Sequence, residues 1–263
     1  MDIEARESPS VEQCAESADL VVELFGVPVQ ATCMNGVLAR VDDAIESRSS
    51  LNIGVVNAAK IVNMQKDKEL CEAVLSSDVI YADGMSVVWA SRILGSPLPE
   101  RIAGIDLMHE IMQRGQEKGY RVFCLGAKQA VLDKVQKEFA ELYPGTIIAG
   151  SHHGYFDADG EEEVAKQIRD SRADVVFVAI TSPKKERFMA KWSEVMQVPV
   201  VHGVGGSFDV VAGVIGRAPR LWQRLGLEWL FRVLQEPGRL WKRYLVTNVA
   251  FLRLIASESF RRR

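Results

Sequence analysis

Short apolar runs alternate with longer segments of helical periodicity along most of the chain. The runs VVFVAI and VPVVHGV are continuously apolar, which is typical of strands that helices cover on both faces. This alternation predicts an α/β, Rossmann-like fold whose mostly parallel sheet has helices on both faces. The predicted strands are 27–31, 51–56, 79–81, 121–125, 146–149, 175–180 and 198–202, and the predicted helices lie near 35–48, 58–75, 84–94, 104–118, 128–142, 160–172 and 184–196.

The two ends of the chain differ from this central region, 25–216, which we interpret as the catalytic α/β domain. Residues 1–24 are polar and acidic, and are predicted to be a disordered or extended lead-in. Residues 217–263 form an appendage in which Trp222, Trp229, Trp241 and several leucines recur near helical spacing between arginines, with a break at Pro237. Such basic amphipathic segments are typical of helices on membrane surfaces. A helical pair that closes over the sheet, or a subunit contact, is the alternative.

Charge separates the appendage from the rest of the chain. The net charge is −3, but residues 217–263 carry eleven Lys and Arg against three acids, or +8, and the remainder carries 21 bases against 32 acids. An acidic body with a basic end predicts an anionic partner for that end alone. Nucleic acid, phosphates and anionic lipid are all compatible with the charge.

Polar residues that follow the predicted strands are the candidates for chemistry, because parallel sheets bind ligands beyond the carboxyl ends of their strands. Asp83 follows the strand VIYA and could act as a general base or as the N-cap of the next helix. Asn57 could bind a ligand hydroxyl or cap a helix in the same way. Arg101 could bind phosphate, whereas Asp106 is as compatible with a cap.

Further candidates lie on the other turns of the same edge. The LGAKQAV turn, with Gly126 and Lys128, resembles a phosphate-approach loop but lacks a complete nucleotide motif. In GVGGSFD, glycines would let backbone N–H groups approach a ligand closely. The remaining candidates from these turns are Tyr155, Lys185, Glu186, Gly205, Gly206 and Asp209.

Metal and cofactor motifs carry little weight in this sequence. Asp157 and Asp159 form a D-x-D, but they directly precede EEEVAKQI and suit a helix N-terminus. We therefore predict no metal site and no cofactor. A dinucleotide-dependent enzyme would require a G-x-G-x-x-G after the first strand, which the chain lacks.

The order of these segments resembles the WecG/TagA/CpsF family of bacterial glycosyltransferases over roughly residues 25–250. The segments that carry the resemblance are VVNAAKIV, YADGMSVVWASRILGSPLPERIAGIDL, VFCLGAKQAV, SPKKE, GVGGSFDVVAG and RAPRLWQRLGLEWLFRVLQEPGRLWKRYL. The resemblance implies an inverting, metal-independent transferase that moves a hexose or N-acetylhexosamine from a UDP-sugar to a polyprenyl-diphosphate-linked saccharide. It would serve cell-envelope or exopolysaccharide synthesis, peripherally bound to the inner face of the cytoplasmic membrane.

The resemblance also implies roles for particular residues. Asp83 would deprotonate the acceptor and Asn57 would position the sugar. The cations that would reach the substrate diphosphates are Arg232, Arg239, Lys242 and Arg243. The chain departs from the family pattern twice, at Val55 (where many members have Thr) and at Lys185 (where many have Gln), so the donor sugar is left open.

Two alternatives compete with the transferase. One is a soluble nucleotide-sugar-modifying enzyme, and the other is a non-catalytic membrane-recruitment module that would have no use for Asp83. A homo-oligomer is compatible with the apolar appendage, and no nucleic-acid partner is predicted.

Overall fold

A six-stranded parallel sheet is the centre of the fold in a computed structural model that describes residues 20–262; the side chains of Arg224 and Arg239 lie outside that description. In chain order the described elements are β1 (Val21–Leu24), β2 (Val27–Gln30), α1 (Met34–Ser47), β3 (Leu51–Val56), α2 (Ala58–Met64), α3 (Lys68–Leu75), β4 (Val79–Ala82), α4 (Met85–Ile93), α5 (Gly104–Lys118), β5 (Arg121–Gly126), α6 (Gln129–Leu142), β6 (Ile147–His152), α7 (Glu161–Asp170), β7 (Val175–Ala179), α8 (Lys184–Met196), β8 (Val200–Gly203), α9 (Ser207–Val211), α10 (Arg220–Arg224), α11 (Glu228–Gln235) and α12 (Pro237–Arg261).

The strand order is β4-β3-β8-β7-β5-β6, and every neighbouring pair is parallel. All residues of β4, β7 and β8 are buried, as expected of strands covered on both faces. Helices α1, α5 and α6 cover one face, and α2, α3, α7 and α8 cover the other. The predicted α/β architecture is therefore confirmed.

The strand predicted at 27–31 was wrongly assigned to the parallel sheet. It forms β2, which pairs antiparallel with β1 through a two-residue turn at Phe25 and Gly26, both with positive φ. Such turns match the twist of a hairpin. The buried side of the hairpin, with Leu24, Val27 and Val29, packs beside β4. Strand β1 thus occupies the last residues of the expected lead-in, and residues 1–19 lie outside the described part.

The helix predicted at 58–75 is two helices, α2 and α3. Asp67 begins the second helix, because its side chain accepts a hydrogen bond from the Leu70 N–H at 3.0 Å. This N-cap satisfies one of the free donors of the new helix.

The C-terminal segment packs against the domain. Helix α12 begins at Pro237, where the sequence predicted a break, and runs over α2 and α4. Phe251 is buried against Phe25, with ring centroids 5.3 Å apart, and the Arg262 guanidinium donates to the Glu23 and Leu94 carbonyls. The end of α12 therefore completes a hydrophobic core. Within residues 20–262, none of the helices is both long and apolar enough to cross a bilayer.

Replacement of Phe251 by Ala tests this packing. Its side chain is 3% exposed, so we expect the free energy of unfolding to fall by about 3–5 kcal/mol in chemical denaturation. The neighbouring Leu252 is 65% exposed, and Leu252→Ala should change it by less than about 0.5 kcal/mol. Equal effects of the two substitutions would contradict the described seating of α12.

Candidate active site

Asp83 lies at the carboxyl end of β4, against the beginning of helix α5. Its Oδ1 atom accepts a hydrogen bond from the Gly104 N–H at 3.0 Å, and its own N–H donates to the Val56 carbonyl at 2.8 Å. The Gly104 N–H is one of the donors that a helix leaves free at its N-terminus, where the helix dipole favours a negative charge. The predicted alternative, a cap on α4, is wrong, because Gly84 occupies that position without a side-chain bond.

The ionisation of Asp83 is set by opposing effects. Burial raises its pKa above the ordinary value, and the charge of Glu228 acts in the same direction. The Gly104 hydrogen bond and the charges of Arg101 and Lys60 oppose that rise. A carboxylate with a raised pKa is a stronger base than an exposed aspartate, which suits abstraction of a proton from a hydroxyl.

Asn57 stands next to Asp83 at the end of β3. A Cβ placed on Gly84 would lie 3.4 Å from the Asn57 Cβ, so these two strand ends are in contact. The Asn57 Oδ1 accepts from the Lys60 N–H at 3.0 Å and caps α2. Its amide nitrogen donates no hydrogen bond within the part of the chain described, so it can still bind a ligand oxygen.

A buried chain of charges, which we call the lysine–glutamate cluster, links α2 to α8. It consists of Lys60, Glu186 and Lys185. The Lys60 Nζ lies 2.8 Å from Glu186 Oε1 and donates to the Val55 carbonyl at 2.6 Å. The Lys185 Nζ lies 3.5 Å from the same carboxylate oxygen and donates to the Gly203 carbonyl at 3.3 Å. The cluster joins the ends of β3 and β8.

Burial shifts the ionisation of this cluster. It lowers the pKa of Lys185 to about 8, and the charge of Lys60 adds to that effect. Burial would raise the pKa of Glu186, but the charges of Lys185 and Lys60 outweigh it and bring the value to about 2. The cluster also borders a cleft between α3 and α8.

His202, at the end of β8, was not among the predicted site residues. It is fully buried, and its Nε2 lies 3.0 Å from the Gly104 carbonyl oxygen. Burial lowers its pKa to about 4. The imidazole is therefore neutral near pH 7 and donates from Nε2, because a carbonyl can only accept.

An ion-pair network ties the C-terminal segment to this edge. Arg101 pairs with Glu228 at the start of α11 and lies 3.4 Å from Asp106, which also pairs with Arg217. Gly226 precedes this contact at φ +63°, and a Cβ there would lie 2.8 Å from the Met85 Cβ. The glycine thus allows the segment to approach α4 closely. Asp106 therefore forms ion pairs, and Ala103 rather than Asp106 occupies the N-cap position of α5.

The other predicted residues surround the ends of β5, β6 and β8. Gly126 has φ +129°, and a Cβ there would lie 2.4 Å from the Ala179 carbonyl oxygen, so the turn after β5 requires glycine. Lys128 and Tyr155 are exposed beyond this turn. Burial raises the pKa of Asp209, the charge of Lys128 lowers it and that of Glu236 raises it, which places these groups near one another. Gly205 and Gly206 form the turn after β8.

Three of the predicted cations of the appendage lie on its exposed surface. Arg232, Lys242 and Arg243 are exposed. Lys242 lies over the Trp241 ring at 5.6 Å and Arg243 over the Tyr244 ring at 5.2 Å, both within α12. The side chain of Arg239 lies outside the described part.

The D-x-D motif has a local structural role. Asp157 accepts a hydrogen bond from the Gly160 N–H at 2.9 Å, just before α7 begins. Over residues 20–262 there is no group of three or more His, Cys, Asp or Glu residues that could hold a metal ion.

Comparison with known proteins identifies the family. The sequence model of the glycosyl transferase WecG/TagA/CpsF family matches residues 22–263. The chain belongs to this family. It is also similar to N-acetylglucosaminyldiphosphoundecaprenol N-acetyl-beta-D-mannosaminyltransferase of Bacillus spizizenii, with 42% identity over 175 residues, or 66% of this chain and 67% of that protein. The chain is thus a glycosyltransferase of the WecG/TagA/CpsF family, as its sequence resemblance predicted.

The alkaline stability of this transferase should report the buried charge of Lys185. Between pH 8 and 10.5 the unfolded chain holds a proton on this lysine that the folded chain has lost, so the free energy of unfolding rises with pH in that window. We expect Lys185→Gln to remove a rise on the order of 2 kcal/mol, measured by urea denaturation.

Lys134→Gln, at an exposed position on α6, is the matched control and should keep the pH slope of the native chain. An unchanged slope in Lys185→Gln would show that Lys185 is not held as a desolvated cation.

Proposed function

We propose that this protein transfers a hexose or N-acetylhexosamine, with inversion and without a metal ion, from a UDP-sugar to a polyprenyl-diphosphate-linked saccharide. The observation that carries the proposal is the half-buried Asp83 carboxylate, bound on one oxygen by the start of α5. The name of the Bacillus relative, an N-acetylmannosaminyl transfer to a lipid-diphosphate-linked N-acetylglucosamine, supports an N-acetylhexosamine as the transferred sugar and a lipid-linked saccharide as the acceptor.

Asp83 supplies the base for this reaction. Its Oδ2 takes the proton from the acceptor hydroxyl as that oxygen forms a bond to the anomeric carbon, and the bond from this carbon to the UDP oxygen breaks. The Gly104 N–H stays on Oδ1 and holds the carboxylate in position. The amide nitrogen of Asn57, on the adjacent strand end, is placed to bind a sugar oxygen. One carboxylate is sufficient, because a direct displacement needs no covalent intermediate.

The donor would lie along the carboxyl edge of the sheet. In the turn at Gly205 and Gly206, the Gly205 N–H already donates to the Val178 carbonyl at 3.3 Å. The Gly206 N–H and the Lys128 ammonium would offer a donor and positive charge to the leaving diphosphate. The exposed Tyr155 ring and the Asp209 carboxylate, beside the β5 turn, are suited to the base and ribose of the nucleotide. Lys185 and Val55 stand at the two family departures, so a hexose and an N-acetylhexosamine donor are both retained in the proposal.

The appendage would place this site at the inner face of the cytoplasmic membrane. Large apolar side chains are exposed along α10 to α12 beside the arginines of the same segment; they include Leu221, Leu225, Leu234, Trp241, Leu245 and Leu252. Such a surface can insert into the interface of a bilayer while its cations contact anionic lipid. Arg232, Arg239, Lys242 and Arg243 would then lie near the diphosphate of the lipid-linked acceptor.

Asp83→Asn should abolish sugar transfer. Loss of a general base costs about 10²–10⁴-fold in rate, and the isosteric amide can still accept the Gly104 hydrogen bond, so the fold should persist. The measurement is transfer from UDP-N-acetylmannosamine and UDP-glucose to a lipid-diphosphate-linked N-acetylglucosamine, with and without EDTA.

Asp157→Asn is the control and should leave the rate unchanged, as should EDTA. Transfer by Asp83→Asn at the native rate would exclude Asp83 as the base. A loss of rate in EDTA together with Asp157→Asn would instead point to the D-x-D as a metal site.

Membrane binding should depend on the exposed apolar surface of α12. Trp241 and Leu245 lie one turn apart and are both exposed. Their joint replacement by Ala should weaken sedimentation with phosphatidylglycerol vesicles by about tenfold or more, since a fully buried apolar side chain contributes about 1.5–3 kcal/mol. Leu142→Ala, on an exposed leucine at the end of α6, should bind like the native chain. Equal binding by all three proteins would place the membrane contact elsewhere.

A further inference from the structure

His202 and Asp83 contact the same residue, Gly104, from two sides. The His202 Nε2 lies 3.0 Å from the Gly104 carbonyl oxygen, and the Gly104 N–H donates to Asp83 Oδ1 at 3.0 Å. Gly104 is the first residue of α5. A Cβ there would lie 3.7 Å from the imidazole ring. The two hydrogen bonds therefore connect the end of β8 to the end of β4 through a single residue.

Packing alone does not account for a histidine at this position. The ring is fully buried in an otherwise apolar strand, with the Phe177 ring edge-on at 6.2 Å. An apolar side chain would fill the site without the cost of removing two ring nitrogens from water. The hydrogen bond to the Gly104 carbonyl offsets that cost, and it ties the first residue of α5 to the end of β8.

Burial and two nearby cations keep the His202 ring neutral, so its Nε2 remains a hydrogen-bond donor. Lys185 on α8 and Lys60 on α2 are the cations that face His202, and both disfavour a charged imidazole. With its pKa near 4, the ring stays neutral above about pH 5 and carries its proton on Nε2. The bond to Gly104 is thus unchanged over the pH range in which a glycosyltransferase would work.

We infer that His202 is a positioning residue for the catalytic base, holding the Gly104 N–H on Asp83 by binding the Gly104 carbonyl. The inference rests on the proposed role of Asp83. Without the His202 bond, the first turn of α5 is free to fray and the Gly104 N–H moves away from the carboxylate. Since that hydrogen bond favours the charged form, its loss raises the pKa of Asp83.

The other groups that set the charge of Asp83 are Arg101, Lys60 on α2, and Glu228 on α11, and Lys185 on α8 is also coupled to it. Lys60 and Lys185 face His202 as well, but the His202 ring is neutral, so its replacement by a neutral side chain changes no charge near them. They stay in place when His202 is replaced. A shift in the ionisation of Asp83 on changing His202 therefore reports the Gly104 contact.

Three variants test the inference. His202→Phe keeps an aromatic ring but removes the donor, His202→Asn keeps an amide too short to reach Gly104, and His202→Gln keeps a donor that can reach it. We expect the Phe and Asn variants to lose about tenfold or more in kcat with little change in the KM for the UDP-sugar. The acid limb of the kcat profile should move to higher pH by about half a unit or more. His202→Gln should retain kcat within about threefold and keep the native acid limb.

The outcomes separate this inference from the proposed function. Transfer at the native rate by Asp83→Asn would refute the base, whatever the His202 variants do. An inactive Asp83→Asn together with native kcat and a native acid limb in His202→Phe and His202→Asn would refute the inference alone. If His202→Phe does not fold, the comparison of His202→Gln with His202→Asn tests the inference. The same acid limb of the kcat profile in these two variants would overturn the inference.

Discussion

The hydrogen bond from the Gly104 N–H to the Asp83 carboxylate is the contact on which the site depends. It holds the half-buried Asp83 carboxylate against the N-terminus of α5, where the helix dipole favours a negative charge. Burial and the helix N-terminus act on its pKa in opposite directions. The result is a carboxylate that can hold a charge in a half-buried site and accept a proton there. The neighbouring strands β3 and β4 end side by side, which places Asn57 next to Asp83.

Charge pairing extends this arrangement in two directions. Toward α8, the lysine–glutamate cluster fixes the ends of β3 and β8 with two buried ammonium groups on one carboxylate. Toward the C-terminus, Arg101 and Asp106 bind Glu228 and Arg217. These partly buried ion pairs hold the appendage against the edge of the sheet that carries Asp83. The same appendage contributes Phe251 to the core and leaves a row of apolar side chains exposed. It is therefore part of the fold, and its exposed apolar row is the surface that we propose binds a membrane.

Local features of the sequence were sufficient to predict the sheet and to place Asp83, Asn57 and Arg101 at its edge. Continuous apolar runs identify covered strands, and the polar residues that follow them must lie at one edge. Partners distant in sequence could not be read in this way. The hairpin β1–β2 has the apolar content of a central strand, and only its turn at Phe25 and Gly26 signals the difference. His202 was missed because a histidine within an apolar strand has no local sign of its partner Gly104, 98 residues earlier. Asp67 carried a local signal, an N-cap residue before a helical run, that could have divided the helix 58–75.

The proposed function requires that one carboxylate base drives a direct displacement at the anomeric carbon. The measurement that tests it most directly is the anomeric configuration of the glycan product, taken from its one-bond carbon–hydrogen coupling in NMR after transfer from an α-linked UDP-sugar. A single displacement with Asp83 as base predicts a β-linked product. An α-linked product would require two displacements or a different reaction course, and would contradict the account.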